Sequence, residues 1–221
     1  MMHLHLVTAL VALLAISPQW RCVALTPTDE KLLLLDFKVE RTYSDRLDSW
    51  SMGTDMCSEW KGVSCSGSGT GHVTSLSLKD CGVTGSLPAK LSALIELDTV
   101  FFPENQMTGS LPAQWSVLSG TLTIMSLNDN SFEGTLPLQW SELQMVTELE
   151  VDGNELTGSL PMQWSTLTQL QRLNTGGNDL EGIIPPQWSA LTAIEVLSAH
   201  DNRFTGQLLS EFSSLTALQA L

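Results

Sequence analysis

The chain has 221 residues, 38 of them Leu, and sets 10 Lys and Arg against 24 Asp and Glu for a formal net charge of -14. So much apolar side chain excludes a disordered acidic tail, and so few cations exclude a nucleic-acid binder, which must displace phosphate counterions. Four Cys are too few for a scaffold built from disulfides.

The first feature along the chain is the uncharged apolar run from Leu6 to Ile16. It is too short to span a bilayer and suits the core of a signal peptide, with Cys22-Val23-Ala24 offering cleavage after Ala24. The start, Met1-Met2-His3-Leu4-His5, carries no Lys or Arg, so a buried N-terminal strand or helix is the competing reading. With residues 1–24 removed as a leader, the chain from Leu25 enters an oxidising space, secreted or at the cell surface.

Residues 25–72 read as a cap. Thr26-Pro27-Thr28-Asp29-Glu30-Lys31 has Pro and acids where a helix begins, and Leu32 to Phe37 supplies its apolar content, with an end expected near Arg41. Leu47-Asp48-Ser49-Trp50 and Cys57-Ser58-Glu59-Trp60-Lys61-Gly62-Val63-Ser64-Cys65 follow. A disulfide between Cys57 and Cys65 would pin this unit in a secreted chain. A metal site drawing on Cys57, Cys65, Cys81 and His72 is the other reading of the pair, but the spacing fits no familiar zinc pattern. Gly67-Ser68-Gly69-Thr70-Gly71 lacks the Gly-Lys-Ser/Thr of a phosphate loop and reads as a turn.

Residues 73–221 are periodic. Gly85, Gly109, Gly134, Gly158, Gly182 and Gly206 are spaced 24 or 25 apart, the first four in the string Gly-Ser/Thr-Leu-Pro. Four places before each stands Cys81 or one of Asn105, Asn130, Asn154, Asn178 and Asn202. Before that position come two apolar residues separated by one, such as Val100 and Phe102, or Leu149 and Val151. Each unit is a leucine-rich repeat, L-x-x-L-x-L-x-x-N-x-L-x-G-x-L-P, with six units and the opening of a seventh at Leu218 to Leu221. The expected fold is therefore an α/β repeat solenoid, a horseshoe with parallel strands on the concave face. Short 3₁₀ or helical turns follow on the convex side, and the N-terminal helical cap covers the first turn. The Asn side chains would satisfy backbone groups where the chain bends inward, and Gly and Pro would turn it onto the convex side. Trp115, Trp140, Trp164 and Trp188 occupy one repeat position that Leu91 and Phe212 fill at the two ends, which makes them core stacking residues rather than a sugar platform. A solenoid ending within its seventh strand would leave an open edge, so the sequence also predicts a fragment whose membrane anchor, if any, lay beyond Leu221.

The cap segment Leu-Asp-Ser-Trp, the string Cys-x-x-Trp-x-Gly-Val-x-Cys and the 24-residue unit with Leu-Thr-Gly-Ser-Leu-Pro resemble plant-type extracellular leucine-rich repeat proteins. The turn Leu-Pro-x-Gln-Trp-Ser-x-Leu, with Trp in place of the plant Leu, resembles the promastigote surface antigen family of Leishmania-type kinetoplastids. The resemblance implies a non-catalytic surface or secreted protein that binds a host or environmental ligand through its repeats. A receptor-kinase ectodomain in signalling and a secreted enzyme inhibitor are the alternatives.

A partner would meet the outward positions that flank the buried pairs. Among them are Thr99, Phe101, Ile124, Ser126, Asn128, Glu148, Glu150, Asp152, Arg172, Asn174, Ser198 and His200. Apolar Phe101 and Ile124 beside a carboxylate row suit a protein of basic or mixed surface. A divalent cation on Glu148, Glu150 and Asp152 is disfavoured, because alternate residues of one strand face lie roughly 7 Å apart. Past the leader only His72 and His200 remain, about five turns apart by the repeat spacing. With no nucleophile elbow either, the sequence predicts no enzyme, no cofactor and no metal.

Overall fold

The computed structural model describes residues 25–39, 47–67, 71–207 and 210–219. The expected leader lies outside them. Helix α1 (Pro27–Val39) starts where a reciprocal cap allows it. The Asp29 amide donates to Thr26 Oγ1 (3.2 Å), and the Thr26 amide donates to Asp29 Oδ2 (3.0 Å). Two of the amides that a helix start leaves without partners are thus satisfied. The buried side of α1 carries Glu30, Leu33, Leu34 and Phe37. Phe37 meets Trp50 on the cap side and Phe102 of the repeats, and Trp50 stacks on Trp60 at 5.1 Å between ring centroids. Cys57 and Cys65 form the disulfide, with their Cα atoms 5.4 Å apart.

Strand β1 (Val63–Cys65) pairs antiparallel with β2 (Val73–Ser77), so the cap supplies one edge of the main sheet. Each later turn contributes two strands. The first turn is completed by β3 (Thr84–Ser86), and β4 (Thr99–Phe101) and β5 (Gln106–Ser110) form the second. Next come β6 (Ile124–Ser126) with β7 (Ser131–Thr135), then β8 (Glu148–Glu150) with β9 (Glu155–Ser159). The series runs on through β10 (Arg172–Asn174) with β11 (Asp179–Gly182) to β12 (Val196–Ser198) with β13 (Arg203–Phe204). One sheet is ordered β1-β2-β4-β6-β8-β10-β12 and the other β13-β11-β9-β7-β5-β3, every pairing after the first being parallel. Together with the short 3₁₀ turns and the disulfide-pinned cap, this is a leucine-rich repeat solenoid.

The second sheet differs from the sequence expectation, which placed the repeated Gly in a turn. Its strands bury one side chain per turn, Met107, Phe132, Leu156 or Leu180, while flanking residues such as Thr108 and Glu133 stay exposed. That is the period-two alternation of a strand, too short to stand out beside the Leu ladder. The Gly lies inside it because the backbone takes a left-handed φ there, +78° at Gly158, where a Cβ would also sit 3.0 Å from Thr135 Cγ2.

The first five 3₁₀ turns each follow the Pro of their unit, as in Met162–Thr166 after Pro161, and the last, Ser210–Ser214, follows a unit without Pro. The Trp of the turn points into the core, and all four are fully buried. Each indole Nε1 donates to the carbonyl of the Pro one turn earlier, Trp164 to Pro137 at 3.0 Å and Trp188 to Pro161 at 3.0 Å. Trp140, Trp164 and Trp188 stack in sequence with centroids 6.3 and 6.4 Å apart. None of these four indole faces is open to a sugar.

The Asn column stitches neighbouring turns. Asn154 Oδ1 accepts the Phe132 amide (3.0 Å), while its Nδ2 donates to the carbonyls of Leu127, Val151 and Asp152. Asn130, Asn178 and Asn202 repeat the pattern, taking the amides of Met107, Leu156 and Leu180. Asn105 serves two, the amides of Cys81 and Val83, in the turn whose own ladder position holds the buried thiol Cys81. The Asn amide thus supplies, once per turn, the partners that buried backbone groups need.

Candidate functional site: the open strand face

The candidate interface is the outward face of the seven-stranded sheet. Strand register aligns its side chains in columns. One runs Ser75, Thr99, Ile124, Glu148, Arg172, Val196, and the next Ser77, Phe101, Ser126, Glu150, Asn174, Ser198. A third, beyond the strand ends, is aligned by amide-to-carbonyl bonds that reach Pro103, Asn128, Asp152, Gly176 and His200. Equivalent side chains of adjacent turns are then about 4.8 Å apart.

Most of the residues expected on this face are half-buried: Thr99, Phe101, Ile124, Asn128, Glu148, Glu150, Asp152, Asn174 and Ser198, while Arg172 and His200 are exposed. Ser126 departs from the expectation of an outward contact. It is 2% exposed and its Oγ donates to Asn128 Oδ1 at 2.7 Å. Ser126 stands between Phe101 and Glu150 in the same column, and its hydroxyl is engaged with Asn128. Phe101 and Ile124 present part of their surface. Arg172 lies opposite Glu148 in register, but the two form no ion pair among the described residues.

Electrostatically the face has an acidic middle. Burial holds the Asp152 carboxyl above its ordinary range, and the carboxylates of Glu150 and Asp129 push it further the same way, while His200 opposes them. His200 reaches this row because Gly176 lies between, where a Cβ would stand 2.7 Å from the imidazole Nε2. Toward the cap the charge is mixed, with Lys79 paired to Glu104 at 2.8 Å. Among the described residues no group of three His, Cys, Asp or Glu could hold a metal ion. No helix among them is long and apolar enough to cross a membrane.

Known proteins share these features. The family described as Leucine rich repeat N-terminal domain matches residues 27–66, the helix and the disulfide loop. The receptor-like kinase TMK4 of Arabidopsis thaliana is 36% identical over 73 residues, which cover 33% of this chain and only 7% of the kinase. The BIR2 ectodomain of Arabidopsis thaliana superposes with a TM-score of 0.73 at 27% identity, covering 82% of this chain and 97% of that one. The ectodomain of the Arabidopsis receptor kinase HAESA, solved with an extended IDA peptide hormone ligand, gives 0.79 at 29% identity over 89% of this chain and 33% of its own. In its cap and its repeats the chain is thus similar to the leucine-rich repeat ectodomains of plant receptor kinases, of which it spans only a small part of the whole length in the curated relatives, and an extracellular or cell-surface location fits that likeness.

Proposed function

We propose that the chain is a non-catalytic recognition module that takes a protein or peptide ligand across the open strand face. The observation that carries this reading is the set of columns itself. Thr99 and Ile124 lead into Glu148 and Arg172, while Phe101 leads through Ser126 into Glu150 and Asn174, so apolar, acidic and basic side chains are held at a fixed spacing on rigid strands. A scaffold of this kind fixes the donors of a flat interface without a deep pocket, which suits an extended or protein partner more than a small substrate. Likeness to HAESA, solved with a peptide hormone, supports the peptide form of the reading. The acidic middle favours a ligand with basic side chains there.

The Trp-Ser turn carries a second reading, a surface antigen-like adhesion protein whose ligand belongs to a host. Both readings use the same face and differ in the partner. An array of secreted peptides and protein ectodomains, probed with the intact chain and with a Phe101→Ala, Glu150→Lys double variant, tests them together. Loss of the captured partner in the double variant, with the fold retained, supports the assignment of the face. Undiminished capture by the double variant removes it, and the chemistry of the captured partner separates the two readings.

A further inference from the structure

The cap meets the repeats through a buried carboxylate. Glu30, in the first turn of α1, is fully buried and 42 residues from its partner His72. Its Oε1 lies 2.9 Å from His72 Nδ1, and its Oε2 accepts the amide of Val73 at 2.8 Å, at the first residue of β2. Both oxygens are therefore spent on the opening of the main sheet. The His72 side chain is 29% exposed, so its proton exchanges with solvent while the carboxylate has no contact with it.

We propose that Glu30, His72 and the Val73 amide form a proton-dependent latch that docks the cap helix on the first repeat strand and tightens as His72 takes up a proton. With the imidazole protonated, the pair is a charge-assisted bond within a largely dry contact. With the imidazole neutral, the buried negative charge is left with neutral donors only, and a buried charge without a counter-charge is costly. The surrounding charges sharpen the dependence. Glu96, which follows the first 3₁₀ turn (Ala89–Ala93), accepts from Ser66 Oγ at 2.8 Å and adds negative potential at both Glu30 and His72. The neighbouring ammonium groups are engaged elsewhere. Lys31 donates to the carbonyls of Met52 and Thr54, Lys38 to that of Trp50, and Lys90 pairs with Asp36. In the disulfide loop the carboxylates of Asp55 and Glu59 accept backbone amides.

The direction follows from His72, with Glu30 setting the acid limit. Burial raises the Glu30 carboxyl above its ordinary 4.5, and the bond to Glu30 raises the His72 imidazole above 6.5. A group raised in the folded state gives stability that is complete below its unfolded value and is lost as pH climbs through its folded value. The His72 share is therefore lost from 6.5 upward, so the latch loosens on the neutral to alkaline side, while protonation of Glu30 below its own raised value ends the charge-assisted bond and bounds the latch on the acid side.

The test is an imidazole titration of the full chain by NMR, with the His72 signal assigned by its loss in His72→Gln, alongside hydrogen exchange at the Val73 amide. The midpoint of His72 is expected above 6.5, and Glu30→Gln returns it to the ordinary value. Above that midpoint the protection of Val73, corrected for base catalysis, falls by at most about tenfold per pH unit, the slope of one-proton linkage. Protection of Leu149, inside the repeats, does not follow. A His72 midpoint at or below 6.5, or Val73 and Leu149 losing protection in parallel, overturns the latch. Should Glu30→Gln not fold, the wild-type midpoint and the two amides decide alone.

Discussion

In the repeats a polar group finds its partner in the same place one turn away, over and over; in the cap every partner is used once. Asn130, Asn154, Asn178 and Asn202 each take one amide of the previous turn, and Trp140, Trp164 and Trp188 each donate to a Pro carbonyl of the previous turn. The cap has no such series. Trp50 Nε1 donates to the Lys61 carbonyl, Trp60 Nε1 to Thr54 Oγ1, and Glu30 holds His72 and Val73. The difference teaches where failure spreads. A lost repeat contact leaves equivalent contacts on both sides, so stability in the repeats is a sum over neighbours. A lost cap contact has no copy, and what it exposes is the end of the core.

The largest expected effect breaks the repeat side of this comparison. Trp164 is fully buried between Trp140 and Trp188. Replacing it by Ala removes an indole's worth of packing and is expected to cost about 3–5 kcal/mol in urea unfolding. Trp140→Ala should cost a similar amount, since its surroundings recur. A Trp140→Ala loss of less than half that of Trp164→Ala would show that the turns are not equivalent.

Asn154→Ala comes next. It strands the buried Phe132 amide and removes the donor to three carbonyls. The cost expected by denaturation is about 3 kcal/mol, at the upper end for an unsatisfied buried group. Its effect on exchange should appear in the turns on either side and fade with distance, whereas a uniform loss across the chain would contradict the neighbour picture.

These two sites were legible from the sequence because they repeat. Six copies of one pattern fixed the strand positions of the main sheet, the 3₁₀ turns, the Asn and the Trp. What went unread lies where the pattern is short or unique. The second sheet buries one residue per turn, so Met107, Phe132 and Leu156 showed as an apolar place in the pattern while the strand around them, with the Gly inside it, went unread. On the candidate face the register was readable but exposure was not, because it depends on the size of neighbours in adjacent strands. Ser126, between Phe101 and Glu150 in its column, is buried, and Gly176 leaves room for the His200 ring. The Glu30 to His72 contact joins residues 42 apart with no second copy, and no local pattern announces it.

Reduction of Cys57–Cys65 probes the cap side. The cysteines are 8 residues apart in sequence. For so short a loop, chain entropy sets the expected loss at about 2.5 kcal/mol. The loss should be confined to α1 and β1, with the exchange of Leu149 and Leu173 unchanged. If the amides of β8 and β10 lose protection together with the cap, cap and repeats unfold as one unit and the contrast between them fails.

The smallest effect sharpens the comparison inside the repeats. Asp152 is the carboxylate of the open face that is held above its ordinary range, by burial first and then by Glu150 and Asp129. Its raised value means that the folded state disfavours the charged form, so its share of stability is present below 3.8 and is lost as pH rises through the raised value. Asp152→Asn keeps the shape and removes the charge. The thermal midpoint at pH 7 should therefore rise slightly, and the gap to wild type should close on acidification as the wild-type carboxyl takes up its proton. This is the reverse of the response expected at the cap, where removing the charge of Glu30 also removes the partner of His72. A variant less stable than wild type at pH 7 would mean that the Asp152 carboxylate is held in place by contacts that outweigh its burial. In that case the acidic row would be a structural part of the solenoid, and the ligand would have to be sought along Phe101 and Ile124.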